Sequence, residues 1–495
     1  MLRVGDRRST LATGLSPAGT PDDARWPLSQ GARRRAPEPV PAGAGRTRRQ
    51  ALLGTAAVTL LDLSACSRSG STGEAKAGSA TACRGTIEFI SPWNVGSTAG
   101  DALVQLGQDF ATAHPGCTAQ LLFVSGDNTQ ILEKLVATIA GGSQPPVALV
   151  PAQQTPLWIS KGVLQPLETW AKRDGVTKDL FFDGYWPQMV VGGRLWRLPF
   201  QIDVNFPWFH NRQTFEAAGL NADQIPRTID EVDALAIKLT RGAAGAHDQL
   251  GFVPWQLYGE TNSLQTWAYA FGGELYDSAA DKVIANHPQT VAALEWMIDW
   301  ARRLGGYDAV QGELQAMGGW STGFALGKIA MAVQTSQAIP SLRSTNAAVQ
   351  LTGGLFPAGK GIRPGEATWL SGRGIGMVAG AKDPEAAWTF IKWAGATKEG
   401  TLAAVNRLAA TPGLKASPGL AVLEQDAQLK PFVDSLRVAK HTPPGALIPI
   451  DLWAGDRGGW IKEALQQKRS AQQALDDVAR SAQVDLDAER ARQKR

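Results

Sequence analysis

Residue types that do covalent or metal chemistry are sparse in this 495-residue chain and poorly spaced for it. The five histidines, His114, His210, His247, His287 and His441, form no His-Glu-x-x-His pair, and three cysteines make no metal-ligand cluster. No Gly-x-x-x-x-Gly-Lys-Ser/Thr phosphate loop is present. Gly372-Arg373-Gly374-Ile375-Gly376 precedes a strand rather than a helix, which argues against a dinucleotide loop. Neighbouring carboxylates such as Asp230-Glu231 and Asp476-Asp477 fall on solvated helix faces. No catalytic residue, metal or cofactor is expected.

Reversible binding is better provided for. The chain has 17 Trp against 5 Tyr, and flat aromatic faces beside paired polar groups hold a hydroxyl-rich ring by its C–H faces and its edge. Several such residues fall at the ends of predicted strands, where open α/β sheets place ligands. Trp93 and Asn94 follow the first strand, Asp127 and Asn128 the second, and Gln153 and Gln154 the third. Asp203 and Asn205 lie in a later extended segment, Trp255 follows a strand over Leu250–Phe252, and Gln334 and Ser336 end another. Trp369, Ser371, Gly372 and Arg373 occupy a glycine-bearing loop before a strand. Trp320 is a further candidate on a segment that competes with a helix. Turn and capping chemistry competes at Asp127 and Asp203, and a surface carboxylate competes for Arg373. Trp296, Trp300, Trp388 and Trp393, at helical spacing, are expected in the core.

The elements that must position these residues alternate. Strand-like runs at Thr86–Ile90, Thr118–Val124 and Val147–Val150 are separated by helical runs at Asp101–His114 and Thr129–Ala140, a pattern that predicts a parallel sheet covered by helices. Helices are predicted at Thr228–Thr240, begun by a Thr228/Glu231 capping box, at Asn262–Phe271, at Pro288–Leu304 and after Asp383-Pro384. Further strands are predicted at Ile329–Gln334, Val349–Leu355 and Gly374–Val378, then helices to the end, the last from Ser470. With 44 % apolar residues this length favours two lobes.

The first 65 residues read as a targeting segment and predict export. Residues 1–65 hold ten Arg against five acids, so the rest is close to neutral and lacks the basic surface that nucleic acid requires. Arg48-Arg49, a short apolar run over Ala51–Leu61 and Leu63-Ser64-Ala65-Cys66 resemble a twin-arginine signal ending in a lipobox. Residues 1–65 are then a signal peptide, Cys66 the lipidation site, and 66–84 a Ser/Gly/Ala-rich flexible tether. Cys83 and Cys117 each precede a strand, and neighbouring parallel strands would bring them together as a disulfide; two separate buried thiols are the alternative.

From Gly85 onward the chain resembles the family 1 extracellular solute-binding proteins, the sugar-binding receptors of ABC importers that include maltose-binding-like and glycerol-phosphate-binding-like members. The resemblance is carried by Ser91-Pro92-Trp93-Asn94, by Ile139-Ala140-Gly141-Gly142 with Pro145-Pro146-Val147, and by Gly162-Val163-Leu164-Gln165-Pro166-Leu167. Gly193 to Pro199, His210-Asn211, Gly327-Lys328-Ile329-Ala330-Met331 and Pro384 to Ile391 continue it in the same order. It implies an α/β, two-lobed periplasmic-binding-protein-like fold with a hinge and an interlobe cleft. The implied lobes are 85–203 plus 355–400 and 206–350 plus 405–495, with Arg407 near a crossing. It implies a monomeric, exported lipoprotein on the outer face of the cytoplasmic membrane that captures a carbohydrate for permease subunits. A glycerophosphodiester ligand and a secreted carbohydrate-active enzyme are the alternatives.

Overall fold

The computed structural model describes residues 83–256, 259–443 and 456–493. The signal peptide, Cys66 and most of the predicted tether lie outside the described residues. In chain order the elements that bear on the site begin with β1 (Gly85–Ser91), α1 (Thr98–Ala113), β2 (Cys117–Phe123), α2 (Asn128–Ala140), β3 (Val147–Pro151), α3 (Thr155–Ser160) and β4 (Leu164–Gln165). Next come β5 (Arg197–Asn205), β6 (Trp208–Asn211), α4 (Ile229–Leu239), α5 (Glu260–Ala270), α6 (Pro288–Arg303), α7 (Trp320–Ala325), β7 (Met331–Val333), α8 (Ala338–Thr345) and β8 (Leu351–Gly354). The series ends with β9 (Trp369–Val378), α9 (Pro384–Ala396), α10 (Lys398–Leu408), α11 (Lys430–Val438) and α12 (Ala471–Gln493).

Local chemistry fixes the helix starts. Ser97 accepts from the Gly100 amide at α1, Thr228 from Glu231 at α4, and Asp383 from Ala386 at α9, where Pro384 supplies the first helical residue. At α2, Asp127 and Gln130 cap each other reciprocally.

Two sheets organise the body. In the first, β1 runs parallel to β2 and β3, with every residue of β3 buried, as the alternation of runs predicts. Cys83 and Cys117 form a disulfide across the starts of β1 and β2, with 5.6 Å between Cα atoms. The sheet is then extended antiparallel: β9 pairs with β3 on one edge and with β5 and the short β4 on the other. The second sheet is the antiparallel set β7–β6–β8. The segment Leu250–Phe252 contributes only a single bridge, Leu250 to Ile329.

The chain passes between the sheets at β5–β6 and again at β9. Residues 355–368 belong with the second sheet rather than the first: Phe356 packs on Trp267 of α5, and the Gly359 amide bonds the Ala270 carbonyl. The return therefore comes at Trp369, later than position 355. Conversely α10 packs on α1, and Ile202 bridges Thr411, so the first body extends past residue 400. It passes back near α11, whose Phe432 stacks on Phe209 of β6.

Trp369 to Arg373, expected in a loop, are the first half of β9. The glycines that resembled a loop answer to close approaches within the strand pair. Gly372 has φ +100°, and a Cβ there would lie 2.1 Å from the Gln201 carbonyl oxygen, while a Cβ on Gly374 would meet the Arg197 guanidinium at 2.4 Å. Gly372→Ala is expected to destabilise the protein by about 1–3 kcal/mol, read as a lowered urea midpoint with an unchanged slope.

Candidate functional site

Alternation along β5 and β9 sorts their side chains. Ser371 lies opposite Asp203, Arg373 opposite Gln201, and Trp369 opposite Asn205, so these six share one face. Ile202, Val204 and Leu370 take the other face and are buried in the core. The polar face is one floor. Along it, the Asn205 amide donates to the Ser371 hydroxyl at 2.9 Å and to the Asp203 carbonyl at 3.2 Å.

The ends of the parallel strands close in on this floor. The Arg373 guanidinium stands over the Trp93 ring, 5.1 Å from its centroid, and donates to Asn128 Oδ1 at 3.2 Å. Trp93 follows β1 and Asn128 opens α2 after β2, so three chain segments meet at one cation. From the other side Gln337, at the start of α8, donates to Asp203 Oδ1 at 3.1 Å. In the second lobe, Phe252, Val253, Pro254, Gln256, Trp320 and Val333 line a shallow groove of about 20 Å³.

The electrostatics follow from depth. Withdrawal from water raises the Asp203 carboxyl above the usual aspartate range, opposed by the Gln337 hydrogen bond and the Arg373 charge. The same cause lowers Arg373 to about 10, with Asp203 pulling the other way. Behind the floor a second, fully buried guanidinium, Arg197, bonds Tyr185 Oη at 2.9 Å, the Gln188 carbonyl at 3.1 Å and Gln188 Oε1 at 3.3 Å. Arg197 is fully spent on structure. Arg373 has donors to spare, its described hydrogen bond going to Asn128 rather than to a carboxylate.

Of the residues singled out from sequence, Trp93, Asp203, Asn205, Ser371 and Arg373 come together here. Others do not. Asp127 is the cap of α2, accepting from Thr129 and Gln130 at 2.9 Å each, and its neighbour Asn128 makes the contact with Arg373. Gly372 serves the strand geometry. Trp369 is 3 % exposed and bonds Thr266 of α5 at 2.9 Å, a core role. Trp255 is 1 % exposed against Tyr307, beneath the groove rather than in it. Arg407 is taken by Asp109 in a two-pronged pair at 2.8 Å on the outer side of α10. Asn94 is exposed, and its carbonyl accepts from Ser97 at 2.7 Å. Gln153 is half-buried after β3, and Ser336 is buried. Gln334 is wholly buried with neither amide atom partnered. Gln201 and Gln337 were missed; the period-two alternation with Asp203 would have found Gln201.

A two-lobed body whose crossing strands present a polar floor beside Trp93 defines the architecture of a ligand-binding protein. The pattern of the bacterial extracellular solute-binding protein family matches residues 95–401, and the chain belongs to that family. Membership makes it an exported protein. Among solved structures, the fold is shared with CpMnBP1 bound to mannotriose, at 24 % identity, covering 80 % of this chain and 99 % of that one, with a TM-score of 0.66. It is shared also with maltose-bound MalE3 of T. maritima, at 20 % identity over 81 % and 99 %, TM-score 0.63. The GacH receptor of Streptomyces glaucescens, solved unliganded and with acarbose, matches at 20 % identity over 81 % and 99 %, TM-score 0.61.

Arg373→Met is expected to raise the Asp203 titration midpoint further, because the charge that favours the carboxylate is removed. Gln337→Ala should act in the same direction. Carboxyl chemical shifts followed by NMR against pH check both.

Proposed function

We propose that this chain is the substrate receptor of an ABC importer, acting as a monomer that captures a carbohydrate in the interlobe cleft and presents it to the permease. The observation that carries the reading is the floor of Asp203, Ser371 and Arg373 beside Trp93, which offers acceptors, donors and an aromatic face to one ligand. Support also comes from the similar structures, whose printed ligands are mannotriose, maltose and acarbose. The lobes are best drawn as 83–205 with 369–425, and 206–368 with 426–493, moving with the hinge at β5–β6 and β9. Neutral saccharides fit the whole floor; a glycerophosphodiester would use mainly the spare donors of Arg373.

The test is a thermal-shift panel of manno- and malto-oligosaccharides, monosaccharides, polyols and glycerophosphodiesters. A ligand at a hundred times its Kd adds about 2.7 kcal/mol of stability, so a saccharide shift is expected. A shift from phosphodiesters alone would overturn the carbohydrate reading. Trp93→Ala and Asp203→Asn should each weaken the saccharide response by about 1–3 kcal/mol, measured by titration calorimetry. Affinity should also fall as pH drops through the raised Asp203 midpoint, because the protonated carboxyl loses acceptor capacity. Asp203→Asn should flatten that limb.

Export and anchoring complete the proposal. Arg48-Arg49 and Leu63-Ser64-Ala65-Cys66 support twin-arginine export and acylation of Cys66. Cys66→Ser should move the protein from the membrane to the soluble extracytoplasmic fraction, as followed by fractionation and immunoblotting.

A further inference from the structure

The C-terminal helix α12 rides on the second lobe for most of its length. It packs against α6, Asp476 accepts from Asn286 at 2.8 Å, Gln483 accepts from the Val283 amide at 2.9 Å, and Arg490 pairs with Asp281. Its last turn does something else. Glu489 is buried to 3 % exposure, and its carboxylate meets the first lobe: Lys161 Nζ at 3.2 and 3.4 Å and Ser160 Oγ at 3.5 Å, with Arg492 of its own helix at 3.2 Å. Ser160 and Lys161 end α3, a helix that starts at the ligand end of β3, where Thr155 bonds the Pro151 carbonyl at 3.0 Å. Six helical residues put that end about 9 Å from the strand terminus. The helix lies beyond residue 401, where the family match ends.

We infer that α12 is a strap whose Glu489 clasps Lys161 and Ser160 across the two lobes, biasing the hinge toward the lobe arrangement described here without touching the ligand. A carboxylate this buried holds its place through its partners, and a hinge movement that separates these segments removes Lys161 and Ser160 together. The clasp therefore stabilises this arrangement alone. By population shift it sets how much of the ligand-free protein holds this arrangement, and hence the apparent affinity for whatever the cleft accepts. The inference rests on the two-lobed fold rather than on the ligand class, so a silent saccharide panel would leave it standing.

Small-angle scattering of the purified, ligand-free full chain tests it. Glu489→Gln and Lys161→Met are each expected to shift the radius of gyration, and in the same direction. The exchanged pair Lys161→Glu with Glu489→Lys should bring it back toward the parent value, which loss of helix packing alone would not do. Single variants with the parent radius, or an exchanged pair as far from it as the singles, would overturn the strap. Circular dichroism of each variant separates lobe movement from unfolding, since a rearranged but folded chain keeps its helical signal.

Discussion

Everything at the site depends on two antiparallel strands, β5 and β9, lying side by side where the chain passes between lobes. Strand pairing forces strict alternation, so one face must be core and the other must be floor. Ile202, Val204 and Leu370 satisfy the first demand and Gln201, Asp203, Ser371 and Arg373 the second. A slip of one residue would bury two charges and expose the apolar set. The register is held by features tolerant of no other residue: the left-handed Gly372 against the Gln201 carbonyl, and Gly374 making room for Arg197. The crossing between the lobes and the polar floor are thus one element.

Two guanidiniums on these strands show how the same group serves opposite ends. Arg197 is fully enclosed, and its hydrogen bonds to Tyr185 and Gln188 rigidify the underside of the crossing. Arg373 is held by a ring face and one amide. Desolvation disfavours both Asp203 and Arg373 in their charged forms.

Much of the scaffold was legible in the sequence because it follows from local chemistry. The Thr228 and Asp383 caps, the buried β3 run and the proximity of Cys83 to Cys117 all arise within one or two elements. Errors came where distant segments decide. Glycines in Gly372-Arg373-Gly374 look like a loop until their strand partners are known. Trp369 and Trp255 look available until α5 and Tyr307 cover them. Asp127 and Asn128 are indistinguishable as candidates until the helix claims the first as its cap. Arg407 could not be separated from a ligand contact without Asp109, which lies 298 positions away in the chain.

The Cys83–Cys117 disulfide carries a mechanical consequence. It sits where the described chain begins, and β1, which it precedes, lies between β2 and β3 in the sheet. A pull through the residues before Cys83 is shared at once with β2 instead of being borne by β1 alone. β1 and β2 then move as one covalently joined pair, and β1 is not peeled from β2 at its end. The row of hydrogen bonds between β1 and β2, which runs from the disulfide toward Trp93, is thereby spared peeling from that end.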